Sequence, residues 1–112
     1  MNRHAGSIPE LSQEEWADLF EIMKKFENAA KKAFGATSIN WTCLMNHAYK
    51  LKPYNPHVHW HPRPRYAQPI EFSGETFTDE KFGRHYEAID ANRKLSDEFR
   101  KAIESELLKY LR

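Results

Sequence analysis

The sequence has little cysteine, no excess of charge of one sign and no long apolar run. Its single cysteine, Cys43, excludes an internal disulfide and is typical of a reducing compartment. The 17 basic and 16 acidic residues nearly cancel, so composition indicates neither a nucleic-acid backbone nor an anionic membrane as the main partner. No apolar run approaches the roughly 18 residues of a membrane span, and no signal-peptide pattern follows Met1. We therefore expect a soluble, cytoplasmic protein.

Two helices are predicted, one near each end of the chain. The 112 residues suit one domain, and a hydrophobic content of 40% is enough for a compact core. Ser12 and Glu15 form a capping-box pattern, and apolar residues follow at spacings of three and four, which predicts a helix over Ser12–Phe34. A second amphipathic helix is predicted from Leu95, with Ser96 as its N-cap.

Short strands are predicted between these helices. Ser38–Asn46 is typical of one strand, and Ile70–Phe77 of another. The loop after Asn46 is too short for a helical crossover, so the strand that follows should be antiparallel. Pro62–Tyr66 is expected to interrupt regular structure because proline lacks an amide hydrogen. We predict an α+β fold, in which a small antiparallel sheet packs against the long helix and a second helix lies near the C-terminus.

The middle of the chain carries three histidines at alternate positions, His57, His59 and His61. Successive side chains of a strand point to opposite faces, so the three imidazoles should line one face. Val58 and Trp60, which lie between them, should then point into the core. Packing alone does not explain three imidazoles in register, which makes this stretch the candidate functional site.

Two kinds of chemistry suit these histidines, and the residues alone leave both open. Neutral imidazole is the commonest zinc ligand, although the first and third Cα atoms of such a strand lie roughly 13 Å apart, which strains joint ligation. Alternatively, one histidine attacks phosphorus while the others orient it and transfer protons. The second chemistry needs no metal, since it depends on positioning and on donors to the phosphoryl oxygens. Four residues are candidates for those donors: His4, Asn46, Arg63 and Arg65.

The stretch from His57 to His61 resembles the motif of the histidine-triad (HIT) family, His-x-His-x-His. Asn46 precedes the first of these histidines by 11 residues, as the family's strand-end asparagine does. The Arg3-His4 pair, just before a helix, is similar to the family's basic-His segment. In order and spacing, the resemblance covers the chain from Arg3 to Tyr66.

The resemblance implies a single HIT-like domain over residues 1–112, short at its N-terminal end because family members carry further strands ahead of the basic-His segment. It implies a hydrolase or nucleotidyl transferase acting on the α-phosphate of a nucleoside phosphoramidate or dinucleoside polyphosphate, without a cofactor. The reaction would pass through a covalent nucleotidyl-histidine. On the family pattern His59 is the nucleophile, His57 and His61 are its partners, and His4 is a fourth active-site histidine.

The resemblance also carries an expectation about partners and an alternative to catalysis. A homodimer is the family's common state, and an incomplete sheet leaves an edge that invites pairing. Family members commonly have a Gly-Gln-Ser/Thr stretch ahead of the triad, where this chain has Lys52–Asn55. The alternative is therefore a degenerate member that binds nucleotide or phosphate without turnover. The two remaining histidines after Asn46, His47 and His85, are predicted to be surface or turn residues.

Overall fold

The computed structural model of the protein describes residues 3–85 and 93–111. In these ranges the predicted α+β class is confirmed, with helices α1 (Gln13–Phe34) and α2 (Asp97–Leu108). Four short strands accompany them: β1 (Ser38–Thr42), β2 (His61–Arg65), β3 (Ile70–Phe72) and β4 (Glu75–Phe77). The strands form two separate antiparallel pairs, β1 with β2 and β3 with β4, where the sequence predicted one small sheet.

The chain is organised as two compact units. The first contains the residues up to Lys24 together with Asn40–Arg63, and the second contains Lys25–Ile39 together with the residues from Pro64 onward. Each unit takes one half of α1. Within residues 3–85 and 93–111, no helix is long and apolar enough to cross a membrane.

The ends of α1 form as the sequence predicts. The backbone N–H of Ser12 donates to Oε2 of Glu15 at 2.8 Å, and the N–H of Glu15 donates to Oγ of Ser12 at 3.1 Å, which completes the capping box. At the other end, Gly35 has φ +69° and its N–H donates to the carbonyl of Lys31 at 2.9 Å. A left-handed residue just past the last turn is a common helix stop, and glycine adopts it without a steric cost.

Strand β2 lies where the sequence predicted an interruption, and that prediction is wrong. Its two prolines, Pro62 and Pro64, occupy alternate positions, so their missing amide hydrogens fall on the same edge of the strand. Arg63, which lies between them, and Arg65 keep their amide hydrogens on the opposite edge. On that edge, the carbonyl of Arg65 accepts the N–H of Thr37 at 2.8 Å. Alternate prolines therefore leave one edge able to pair and block the other.

Local sequence also fixes the hairpin and α2. Ser73 and Gly74, between β3 and β4, both have positive φ (+48° and +79°), as the tight turn of a two-residue hairpin requires. Oγ of Ser96 accepts the N–H of Phe99 at 3.1 Å, so the predicted N-cap of α2 is confirmed.

Aromatic contacts hold the second unit together. Phe72 contacts Phe34 at the end of α1 with ring centroids 5.3 Å apart, and it contacts Phe99 of α2 at 5.7 Å. Phe77 of β4 also lies 5.7 Å from Phe99. These separations lie within the range in which aromatic pairs attract beyond the area they bury. The hairpin and the two helix segments therefore share one aromatic cluster.

The buried apolar part of the described chain is made of small side chains. Its buried apolar residues are four alanines (Ala5, Ala29, Ala30, Ala36) and Val58. On α1 the apolar stripe is only partly covered, because Trp16 is 41% exposed and Phe20, one turn later, is 59% exposed. Two large aromatic side chains on neighbouring turns thus stand open to solvent.

The second unit contains an almost fully buried arginine. Arg65, 5% exposed, donates from Nε and Nη2 to the two carboxylate oxygens of Asp79 at 2.6 and 3.1 Å. It also donates to the backbone carbonyls of Lys81 and Arg84, at 2.6 and 2.9 Å. Hydrogen bonding from Arg65 holds the pKa of Asp79 below its usual range. This guanidinium ties the end of β2 to the residue 79–84 loop.

We expect Asp79→Asn to lower the free energy of unfolding at pH 7 by about 3 kcal/mol, because it leaves a buried guanidinium without its counter-charge. Since the folded-state pKa of Asp79 is lowered, its contribution is complete above the unfolded pKa of about 4 and fades as pH falls through the lower folded value. Urea unfolding at several pH values measures both effects.

The matched control for Asp79→Asn is Arg100→Gln, which removes an exposed ion pair with Asp97 in the same unit. It should change the free energy of unfolding by less than about 0.5 kcal/mol. A gap between Asp79→Asn and the wild type that stays constant from pH 7 to about pH 2 would contradict this role of the ionised carboxylate.

Candidate functional site

The histidine stretch alternates between exposed and covered side chains without being a strand. Val58 is buried, Trp60 is half-buried, and His57 and His59 are exposed. The prediction that the whole stretch is a strand is wrong, because only its last histidine lies within β2. The physical reason is that β1 ends at Thr42 and the chain then enters a 3-10 helix at residues 46–49, so among the described residues no partner strand runs beside residues 57–60.

One backbone hydrogen bond holds this extended stretch instead of a ladder. The N–H of Val58 donates to the carbonyl of Ala5 at 2.8 Å, and the Ala5 side chain is fully buried. Trp60 packs edge-to-face on Trp16 of α1, with ring centroids 6.1 Å apart. These contacts turn the residues between the histidines inward and leave the imidazoles outside.

A backbone carbonyl orients the ring of His59. Its Nδ1 lies 2.8 Å from the backbone oxygen of His57. A carbonyl oxygen can only accept a hydrogen bond, so this contact requires the hydrogen on Nδ1, and in the neutral ring Nε2 then keeps its lone pair. The exposed imidazole therefore presents a basic nitrogen whose tautomer is fixed by the backbone.

The other three candidate histidines lie around it. The rings of His4 and His57 are stacked, with centroids 5.1 Å apart and Nδ1 atoms 3.2 Å apart, so one of the two nitrogens donates to the other. The ring of His61 stands edge-on to that of His59, with centroids 5.0 Å apart. The structure thus brings all four predicted histidines into one continuous set of ring and hydrogen-bond contacts.

A cleft of about 470 Å³ opens beside this set. Asn46 and Arg63, both predicted to bind substrate, line it together with three of the histidines, and Arg63 also donates to Oγ1 of Thr42 at 2.9 Å. Among the described residues that line the cleft, none is acidic, so it favours an anion. Its full lining is Leu44, Met45, Asn46, His47, Ala48, Lys50, His57, His59, His61 and Arg63.

The lining of the cleft differs from the set of candidate residues at three positions. Arg65, predicted to bind substrate, is not among the residues that line the cleft, and its guanidinium donates to Asp79 in the second unit. His47 is exposed as predicted, but it lines the cleft. Lys50 also lines it and was not a candidate. A side chain in a polar loop gives no periodic signal, so the sequence does not show that the 3-10 helix turns these two residues toward the triad.

A second cavity, of about 730 Å³, shares two histidines with the cleft. Part of its lining comes from the first turns of α1, including two carboxylates, which makes it a poorer site for a phosphate than the cleft. Its lining is Arg3, Leu11, Glu15, Asp18, Leu19, Ile22, His57, Val58, His59 and Trp60.

The zinc hypothesis finds no ligand set in the part of the chain that the structure describes. There, no group of three or more His, Cys, Asp and Glu side chains is arranged to hold a metal ion. The triad rings meet by stacking and edge contacts, whereas a tetrahedral zinc site needs their nitrogens to converge on one point.

Comparison with known proteins identified no relative of this chain. Scans of the chain against protein-family models, curated proteins and solved structures found no match. The resemblance to the histidine-triad family therefore depends only on the residues and spacing quoted from the sequence.

We expect the neutral imidazole of His59 to carry its hydrogen on Nδ1, because that nitrogen lies 2.8 Å from a carbonyl oxygen. A ¹⁵N spectrum of the histidine rings, recorded at about pH 8, measures this directly. A His59→Gln spectrum assigns the signal. A protonated Nε2 on His59 would contradict the geometry.

Proposed function

We propose that this protein is a HIT-type hydrolase or nucleotidyl transferase that acts on the α-phosphate of nucleoside phosphoramidates or dinucleoside polyphosphates. The observation that carries the proposal is the hydrogen bond of His59 Nδ1 to the His57 carbonyl, which leaves Nε2 as a nucleophile beside a basic cleft. We propose the cytoplasm as the compartment, because a single cysteine is typical of a reducing environment. The proposed chemistry needs no cofactor.

The proposed reaction has two steps. In the first, Nε2 of His59 forms a bond to the α-phosphorus, and the bond from phosphorus to the amine nitrogen or polyphosphate oxygen breaks. A proton from His61, the ring next to the nucleophile, goes to the leaving group. In the second step water attacks phosphorus, its proton returns to His61, and the Nε2–phosphorus bond breaks. In a transferase an acceptor other than water completes this step.

Two features of the site support this chemistry. While His59 is bonded to phosphorus its ring carries positive charge, and Nδ1–H donates to a carbonyl whose dipole stabilises that charge. The phosphoryl oxygens meet donors from Asn46, Lys50 and Arg63, and charge-assisted hydrogen bonds of this kind are about twice as strong as neutral ones. Positioning and electrostatics are the main requirements of phosphoryl transfer.

His59→Ala should lower turnover of a nucleoside phosphoramidate on the order of 10³-fold or more, because it removes the group that bonds to phosphorus. His85→Ala, a histidine of the second unit, is the matched control and should keep wild-type turnover. Rapid quenching of the wild type followed by peptide mass analysis should find one nucleotidyl group on His59.

Each other result of this experiment has a definite reading. Wild-type turnover by His59→Ala would reject the mechanism. Nucleotide binding without turnover or adduct would identify a degenerate binding protein. Stoichiometric zinc together with loss of turnover on chelation would favour the metal enzyme.

We also propose a homodimer, formed through the exposed apolar face of α1. The outer edge of β2 carries two prolines and is a poor edge for strand pairing, which moves the contact from the sheet edge to the helix. Trp16 and Phe20, one turn apart and both exposed, are the side chains that such a contact would cover.

Phe20→Glu should convert the dimer to a monomer, because it places a charge in the centre of that contact. Light scattering at micromolar concentration measures the mass. Leu51→Glu is the control, because Leu51 is 81% exposed and does not belong to α1. This change should leave the dimer intact. A monomeric wild type would contradict the proposal.

A further inference from the structure

Arg3 lies next to His4, but its guanidinium binds the start of α1. Nε and Nη2 donate to the two carboxylate oxygens of Glu15, both at 2.7 Å, and Nη2 also donates to the carbonyl of Glu10 at 2.5 Å. A bidentate arginine–carboxylate pair fixes the orientation of both groups. Glu15 is itself fixed, because Oε2 also accepts the N–H of Ser12 in the capping box.

The residues that follow His4 are held as well. The carbonyl of Ala5 accepts the N–H of Val58, and the N–H of Gly6 donates to Oε2 of Glu10 at 2.8 Å. His4 therefore stands between two anchored neighbours, one bound to α1 and the other bound to the histidine stretch. Its own ring has only His57 as a ring partner in the described contacts.

We infer that Arg3 and Glu15 form a clamp that positions His4 against His57, which makes Arg3 a positioning residue and not a phosphate ligand. The pair is half-exposed on the arginine side, and such pairs contribute little to stability, so its effect is one of geometry. Nε and Nη2 of Arg3 already bind Glu15 and Glu10. Arg3 lines the 730 Å³ cavity, whereas the proposed phosphate donors line the 470 Å³ cleft.

The clamp acts on the proposed nucleophile through His57. Nδ1 of His4 hydrogen-bonds with Nδ1 of His57, and the carbonyl of His57 orients the ring of His59. A displaced His4 would leave the His57 ring without this partner. The kinetic consequence rests on the proposed function, while the ring contact itself does not.

The test replaces Arg3 with Met, which keeps much of the side-chain length and removes the charged fork. Arg3→Met should abolish the nuclear Overhauser contact between the ring protons of His4 and His57, and should lower kcat about tenfold with little change in KM. Combined with His4→Ala it should cause no further loss, because both changes remove the same interaction. Arg3→Lys keeps the charge without the fork and should restore part of kcat.

Lys24→Met is the matched control, because it removes another ion pair of α1, with Glu21 at 2.8 Å. It should change neither the ring contact nor kcat. If Arg3→Met fails to fold, Glu15→Gln gives the same readouts, since glutamine still completes a capping box but loses the charge that binds Arg3.

Two results would overturn the clamp. One is a His4–His57 ring contact that persists in Arg3→Met. The other is a raised KM for the nucleoside substrate together with losses that multiply with those of His4→Ala, which would make Arg3 a substrate-binding residue. A wild type without turnover would reject the proposed function. The His4–His57 ring contact in Arg3→Met would still show whether Arg3 positions His4.

Discussion

The arrangement of the candidate site depends on one backbone hydrogen bond, from the N–H of Val58 to the carbonyl of Ala5. Both residues are buried, so neither group can turn to water if the bond is lost. The bond joins two segments whose histidines, His4 and His57, are 53 residues apart in sequence and in ring contact in space. It also fixes which side chains of the histidine stretch face inward. The exposure of His57 and His59 follows from the burial of Val58 between them.

Local signals in the sequence predicted the helices and the alternation, because each depends on neighbours within a few residues. The capping box of Ser12 and the N-cap of Ser96 are contacts over three residues, and both form. The alternation of buried and exposed residues survives even where no strand forms, since any extended backbone turns successive side chains to opposite sides. The position of β2 could not be predicted by counting prolines, because what matters is that Pro62 and Pro64 share one edge.

The contacts between distant charges were beyond prediction from one sequence. Arg63 and Arg65 are two residues apart and were equal candidates, yet Arg63 lines the cleft and Arg65 binds Asp79, 14 residues further on. Arg3 and Glu15 meet across 12 residues, and the capping box already explained Glu15 without a second partner. No periodicity links such pairs. These pairs form only where the folded backbone brings the two side chains together, which is a property of the whole fold.

The nucleophile proposed here is oriented by a backbone carbonyl, and this has a consequence for how the site can fail. A carbonyl cannot be removed by substituting a side chain, so the tautomer of His59 persists as long as the backbone at His57 keeps its course. That course is set by Val58 on one side and by the stacked ring of His4 on the other. Changes at the anchors of these two residues should therefore misplace Nε2 of His59, the proposed nucleophile, without removing a charged side chain from the cleft. In the proposed mechanism, charge in the cleft governs whether a phosphate binds, while backbone placement governs whether it can react.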